Sequence, residues 1–363
     1  MNNHRILILL PNDMLGGAEQ HLMNVASYYL EQKYYVEVRF LTREKTRAWR
    51  RLEGDIKLIF TSANTEKGGI FIFFKNLLIN NNKKYDFIYT SHVHLTSFLG
   101  IMMKLRFVKT QRFIARESTS IFKRFSGAKL FMFRFLYQIG YGKVNLLICQ
   151  TDFMKHQLIE ALPHLVKKMK IVVIPNPINL ANIKKERLSP SFLDKQYIVS
   201  AGRLIPEKGF DILIKAFAML KDNGMDLKLV ILGEGNLRGD LERLAVDLNI
   251  SDNVQFLGFQ SNVYPYFREA KACVVSSIIE GFPNVLLQMM SQNDTVISTL
   301  CAGGIENIPS ILTCEVSDIQ ALTTSMENAL QNNNSNNRKI FDDFLEERSV
   351  ANFIGKINGY LNA

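Results

Sequence analysis

Two cations stand five residues apart in the segment Gly202-Arg203-Leu204-Ile205-Pro206-Glu207-Lys208-Gly209. A planar arginine fork and a lysine point charge at this spacing, at the carboxyl end of a predicted strand, can both reach one diphosphate. Further along, Ser277-Ile278-Ile279-Glu280-Gly281-Phe282-Pro283-Asn284 sets Glu280 beside a proline suited to a first helical turn. The N–H groups that follow such a proline point out of the helix start toward a sugar hydroxyl or a phosphate. The turn Ala302-Gly303-Gly304-Ile305-Glu306 could bring a second carboxylate to the same place. Near the start, Gly16-Gly17-Ala18-Glu19 lies where a strand hands over to a helix, so backbone N–H groups can approach an anion closely. His92 and His94, in Tyr89-Thr90-Ser91-His92-Val93-His94, follow another predicted strand. Each of these features also has a plain reading as a tight turn, a cap, a polar loop residue or a surface ion pair.

Elements that would position these residues recur regularly. Apolar runs of strand length at 6–10, 36–41, 87–90, 112–115, 146–150 and 171–174 alternate with helical periodicity, first at 18–30. After Pro175-Asn176-Pro177 and a polar, basic stretch the alternation restarts, with strands predicted at 197–200, 227–232, 254–257, 272–276 and 296–298. Alternating β and α elements imply parallel sheets covered on both faces, and the break near 175–195 implies two of them, with ligands at the carboxyl ends of the strands. The expected division is an amino-terminal domain 1–178, a linker 179–195, a carboxyl-terminal domain 196–340, and a last helix 341–363 that crosses back to the first domain. The Asn-rich segment 331–337 reads as a loop.

Ordinary globular composition, 47% hydrophobic and 21% charged, excludes a fibrous or largely disordered chain. The cysteines, Cys149, Cys273, Cys301 and Cys314, show no metal-ligand spacing and no disulfide framework, which fits a reducing compartment. The first apolar run leads straight into Pro11-Asn12-Asp13, so it reads as a buried strand rather than a leader peptide. No apolar stretch approaches the roughly 20 residues that span a bilayer. Charge is lopsided: residues 1–180 hold 27 Lys and Arg against 12 Asp and Glu, whereas the remainder holds 17 against 22. Between Lys104 and Lys143 there are ten basic residues and one acid, Glu117, interleaved with phenylalanines. Such a stretch suits an anionic partner. No nucleic-acid-binding motif accompanies it, so no nucleic acid is expected.

The sequence resembles the retaining glycosyltransferases of family 4, which have the GT-B architecture: α/β, with two Rossmann-like parallel-sheet domains facing across a cleft. The resemblance covers nearly the whole chain, through Gly16-Gly17-Ala18-Glu19, Ile174-Pro175-Asn176-Pro177, the Gly202 to Gly209 loop, Leu232-Gly233-Glu234-Gly235, Val254-Gln255-Phe256-Leu257-Gly258 and Glu280-Gly281-Phe282. It implies that the carboxyl-terminal domain binds a nucleotide-sugar donor. Arg203 and Lys208 would hold the diphosphate, Gly258 and Phe259 the base, and Glu280 the sugar hydroxyls, with Gly17, Phe282, Asn284 and Val285 adding donor contacts. His92 matches the family's histidine near the reacting centre; with Glu280, Arg203 and Lys208 it makes up the expected catalytic set. Glu19, His94 and Arg116 would contact the acceptor. The family's motif has a second glutamate where this chain has Gln288, a position that hydrogen-bonds the nucleotide ribose.

The function so implied is retaining transfer of a hexose or N-acetylhexosamine from a UDP-sugar to a lipid-linked oligosaccharide or polysaccharide in cell-surface glycan synthesis. The sequence carries no DxD triad, and neither a metal nor another cofactor is expected. The protein would be cytoplasmic and peripheral, meeting the anionic membrane surface through residues 104–143. Gln288 leaves a second reading, a catalytically weak homologue that serves as a binding subunit of a polysaccharide assembly complex.

Overall fold

The computed structural model describes residues 4–79, 84–118, 121–181, 183, 196–332 and 334–363. The chain forms two compact units: unit 1 is residues 1–177 with 350–363, and unit 2 is residues 178–349.

Unit 1 is built on a parallel sheet of seven strands: β1 Arg5–Leu10, β2 Tyr35–Phe40, β3 Lys57–Phe60, β4 Lys84–Thr90, β5 Lys109–Arg116, β6 Leu146–Cys149 and β7 Lys170–Val173. Their order is β3-β2-β1-β4-β5-β6-β7. In β1 both sets of alternating side chains are buried, which is why it reads as a continuous apolar run. Leu7 and Leu9 face one core, with the helices Glu66–Ile79, Val93–Lys104, Gly127–Gly140 and Asp152–Ala161. Ile6, Ile8 and Leu10 face the other, with the helices Gly17–Glu31 and Val350–Asn362. Ile8 pairs with Val38 on one side and Tyr89 on the other, so β1 lies inside the sheet, next to its middle strand β4.

Unit 2 has six parallel strands: β8 Tyr197–Ala201, β9 Lys228–Leu232, β10 Val254–Gly258, β11 Ala272–Val275, β12 Val296–Thr299 and β13 Leu312–Cys314, in the order β10-β9-β8-β11-β12-β13. Its sheet also separates two cores, one under the helices Phe210–Asp222 and Ile319–Gln331 and one under Asn284–Met290 and Asn337–Glu346. In both units the helices that follow the two central strands lie on opposite faces. That arrangement opens a crevice at the carboxyl ends of β1 and β4, and another at those of β8 and β11.

The structure departs from the sequence-based reading at the carboxyl terminus. Residues 341–363 do not form one helix: Asn337–Glu346 belongs to unit 2 and Val350–Asn362 to unit 1. Apolar positions run Phe341, Leu345, then Val350, Phe353, Ile354 and Ile357, and the step of five from Leu345 to Val350 breaks helical phase. The backbone there is drawn into a pairing with residue 178 instead, where the Ile178 N–H donates to the Arg348 carbonyl at 2.8 Å. Of the expected linker, most lies outside the described residues.

Within unit 1 the helices Val93–Lys104 and Gly127–Gly140 touch backbone to backbone. A Cβ on Gly100 would stand 1.7 Å from the Gly140 carbonyl oxygen, and one on Gly140 would stand 2.2 Å from the Ser97 Cα. Ser97 Oγ donates across the same contact to the Leu136 carbonyl at 2.9 Å. Gly100→Ala should therefore push the helices apart and cost about 1–3 kcal/mol. A lower urea midpoint at unchanged slope checks it; a midpoint equal to wild type would mean that the helices are free to separate.

Candidate functional site

In unit 1 the crevice at β1 and β4 is spanned by Glu19 and His92. Gly16 is the N-cap of the helix Gly17–Glu31, and its N–H donates to Glu19 Oε2 at 3.1 Å, the one half of a capping box that a glycine can make. The other carboxylate oxygen, Oε1, lies 3.2 Å from His92 Nε2. Burial opposes the charge on Glu19, but the His92 contact and the backbone N–H groups outweigh it and hold its pKa below the ordinary value. His92 is itself the N-cap of the helix Val93–Lys104. A carboxylate against one ring nitrogen fixes the orientation of the imidazole and its proton, the arrangement a proton-transferring histidine needs. His94, two residues on, faces Glu66 Oε2 at 3.3 Å rather than Glu19.

Arg116, at the end of β5, lies inside the protein at 5% exposure. It donates to Asn176 Oδ1, Asn176 Nδ2 donates to Gln150 Oε1 at 2.8 Å, and Gln150 Nε2 donates to the Glu117 carbonyl at 2.9 Å. This polar chain ties the ends of β5, β6 and β7 together, and it gives Asn176 of the Ile174-Pro175-Asn176-Pro177 motif a task that its sequence did not disclose. Burial lowers the Arg116 pKa to about 10, against the pull of Glu117 and Glu19. His21, fully enclosed beside Arg116, is held well below the usual imidazole range, first by burial and then by that charge.

In unit 2 the corresponding crevice, at β8 and β11, holds the residues of the first motif. Pro206–Lys208 forms a single tight turn, and Gly209, at φ 59°, caps the helix Phe210–Asp222. A side chain at 209 would meet the Ser276 carbonyl oxygen at 2.3 Å, so the loop after β8 rests directly on the loop after β11. Ser276 Oγ donates to the Lys208 carbonyl at 3.0 Å, and the Ile278 N–H donates to the Glu207 carbonyl at 2.9 Å. Across this seam Lys208 Nζ pairs with Glu280 Oε1, which also accepts from Ser277 Oγ at 3.1 Å. Arg203 is exposed on the same loop, with no carboxylate at ion-pair distance among the described residues.

The other expected donor residues divide by role. Gly258, at φ 71°, ends β10, its carbonyl accepts from the Gly233 N–H at 2.8 Å, and Phe259 beyond it is 67% exposed. Asn284 and Val285 open the helix Asn284–Met290. The Phe282 ring points into the core, 5.4 Å under the Arg348 guanidinium, so only its backbone is available to a ligand. Gln288 Nε2 donates to Tyr264 Oη at 3.3 Å, which leaves the amide oxygen free as an acceptor. Glu306 accepts from the Gly304 N–H at 2.9 Å within its own turn, the capping role. Sequence reasoning missed Ser276, Ser277 and Tyr264, whose side chains carry no charge signal; Ser276 and Tyr264 act through partners distant in sequence, and Ser277 through Glu280 three residues on.

Comparison with known proteins fits this geometry. The family model described as Glycosyl transferases group 1 matches residues 182–341, and that described as Glycosyltransferase Family 4 matches residues 15–182. A Campylobacter jejuni protein named N-acetylgalactosamine-N,N'-diacetylbacillosaminyl-diphospho-undecaprenol 4-alpha-N-acetylgalactosaminyltransferase is 31% identical over 62% of this chain and 60% of its own length. The lipopolysaccharide core biosynthesis glycosyltransferase LpsE of Rhizobium meliloti is 29% identical over 46% of each chain. The chain thus spans about half the length of these relatives. Among solved structures, HepE of Anabaena in complex with UDP and glucose aligns over 99% of this chain and 100% of its own, with a TM-score of 0.78 at 18% identity. At that identity the likeness establishes the two-domain parallel-sheet fold.

Glu117 offers a test of the network around the unit 1 crevice. Enclosed with Tyr137 Oη at 2.6 Å and Tyr141 Oη at 3.5 Å, its carboxyl is pushed by burial from 4.5 up to about 7, against the opposing pull of the two hydroxyls and Arg116. Since the folded pKa lies above the unfolded one, its contribution to stability is full below about 4.5 and is lost as pH rises toward 7. Glu117→Gln removes that dependence, so wild type should lose stability relative to the variant by about 1.4 kcal/mol per pH unit in this window. Paired melts between pH 5 and 8 on the order of half a unit apart measure it; parallel curves would show that Glu117 stays ionised in the fold.

Proposed function

Since this chain belongs to the group 1 and family 4 glycosyltransferases and has their GT-B type of fold, we propose that it is a retaining hexosyltransferase. It transfers a hexose or N-acetylhexosamine from a UDP-sugar to a lipid-linked oligosaccharide or polysaccharide acceptor. The observation that carries the reading is the meeting of Lys208 and Glu280 across the β8 and β11 crevice, with Arg203 exposed on the same loop. The diphosphate leaving group gains negative charge as the sugar departs, and Arg203, Lys208 and nearby backbone N–H groups stabilise it. Glu280 accepts from hydroxyls of the donor sugar, and Gln288 from the ribose. The departing phosphate takes the acceptor proton on the face it leaves, so configuration is retained without a protein nucleophile, and no metal is needed.

His92, oriented by Glu19, sits at the acceptor side of the reaction with His94; Arg116, expected there from the sequence, is enclosed and holds the strand ends behind them instead of touching the acceptor. The enzyme works as a peripheral protein on the cytoplasmic face of a membrane, held there by the basic stretch 104–143. UDP as the carrier is supported by the UDP-bound fold neighbour, and a lipid-linked acceptor by the diphospho-undecaprenol named in the Campylobacter relative. Among the described residues no helix is long and apolar enough to cross a membrane.

Arg203→Ala and Lys208→Ala should each lower turnover roughly a hundredfold or more, because each removes a contact that strengthens as the diphosphate leaves. Release of nucleoside diphosphate at saturating donor measures it, and near-normal turnover in both would refute the diphosphate assignment. A chelator should leave the rate unchanged, whereas strict dependence on manganese or magnesium would contradict a metal-free mechanism.

Gln288→Glu should tighten donor binding severalfold by restoring an ionised acceptor for the ribose hydroxyl, with Tyr264 Oη placed to donate to it. Titration calorimetry with UDP reads this directly. Unchanged or weaker affinity would show a site rebuilt around glutamine.

A further inference from the structure

The helix Glu66–Ile79 carries the sequence EKGGIFIFFKNLLI, with large apolar side chains on its outer as well as its inner face. Phe73 is buried, and Ile70, Phe74 and Leu77 pack on the core. Yet Phe71 is 69% exposed, Leu78 50% and Ile79 71%. Clustered exposed apolar side chains of this size mark a surface that something covers.

Neighbouring elements extend the same surface. Phe73 meets the Phe98 ring at 5.9 Å, which ties this helix to Val93–Lys104, and that helix packs through Gly100 on Gly127–Gly140. On this third helix Phe131, Met132 and Phe135 are exposed beside Lys129 and Arg134. Lys67 and Lys75 are exposed on the first helix, and Lys104 and Arg106 at the end of the second. The acid of the first helix, Glu66, is engaged by His94. The layer is therefore apolar and cationic together. A second copy of the same face would set cation against cation, whereas an anionic bilayer answers both properties.

We infer that the helix Glu66–Ile79 is a membrane-inserting element, its outer face entering the headgroup and upper acyl region of an anionic bilayer. This rests on the membrane reading given above and adds an element outside the basic stretch 104–143. With 14 residues it is about 21 Å long, short of the roughly 30 Å hydrocarbon core, so it lies in the interface plane. Beside it is a cavity of about 310 Å³ lined by Phe73, Asn76 and Leu77 of this helix together with Arg39, Tyr85 and Phe107 among others.

The test is flotation of the full chain with phosphatidylcholine/phosphatidylglycerol vesicles, at low salt and at about 0.5 M salt, where charge attraction is screened within about 4 Å. Wild type should float in both, and Phe71→Gln/Ile79→Gln should float at low salt but lose roughly fivefold or more of the salt-resistant fraction. Lys129→Gln/Arg134→Gln should show the opposite weakness. A Phe71→Trp variant should be quenched by lipids brominated along the acyl chain, above a constant background from the buried Trp49. If wild type floats only at low salt and the Phe71/Ile79 variant matches it, insertion is wrong while electrostatic docking stands. If wild type binds no anionic vesicle, both readings fall. A concentration-dependent dimer abolished by Phe71→Gln/Ile79→Gln would assign the helix to a second copy and overturn the inference.

Discussion

The position of the central strand fixes where chemistry can occur. Because parallel strands need crossover connections of one hand, β1 and β4 send their helices to opposite faces, and so do β8 and β11. A crevice opens between each pair of strand ends, where no helix covers the sheet. Both units span theirs with a carboxylate paired to a nitrogen base, Glu19 with His92 in one and Glu280 with Lys208 in the other. In each case the partners come from the two loops that the crevice separates. The pairs are half-buried, so they are less screened than at an open surface, and each fixes the orientation of its two side chains.

Most of this scaffold was legible because buried parallel strands are continuous apolar runs, and eleven of them stand out at the positions of β1, β2, β4 to β12. The two that were not foreseen, β3 and β13, are the outermost strands of their sheets. β3 has only three apolar residues in a row, all partly buried, and β13 has three residues in all, so neither run is long enough to stand out. Loop motifs announced Arg203, Lys208 and Glu280 through charge and glycine. They could not announce pairing, since Glu19 and His92 lie on separate strand ends and only the sheet order brings them within 3.2 Å. Nor did the motif Glu280-Gly281-Phe282 disclose that its aromatic ring turns inward.

Buried polar groups explain a second level of order. Arg116, Asn176, Gln150 and the Glu117 backbone form a hydrogen-bonded chain across three strand ends. Such a chain is costly wherever a donor lacks a partner, and Arg116 Nε and Nη1 are buried without one. Apolar side chains would pack the same space with less penalty. What polar groups add is direction: each bond is satisfied at one geometry, so the ends of β5, β6 and β7 are held in a single register beside the crevice.

The Glu280 loop is held by a contact of another kind. The Arg348 guanidinium lies 5.4 Å from the Phe282 ring and 4.3 Å from the Phe344 ring, while its carbonyl accepts from the Ile178 N–H at 2.8 Å. Burial lowers the guanidinium pKa to about 10, which leaves it charged at neutral pH. Residues 178 and 348 to 349 are where the chain enters and leaves unit 2, and they pair there as a short parallel bridge. One side chain therefore stacks on the loop that presents Glu280, while its backbone pairs with residue 178 within unit 2. A change in the Glu280 loop that moved Phe282 would disturb the stacking of Arg348 and, through it, the pairing with residue 178. The inward turn of Phe282, which removes its ring from any ligand, is what makes that mechanical connection.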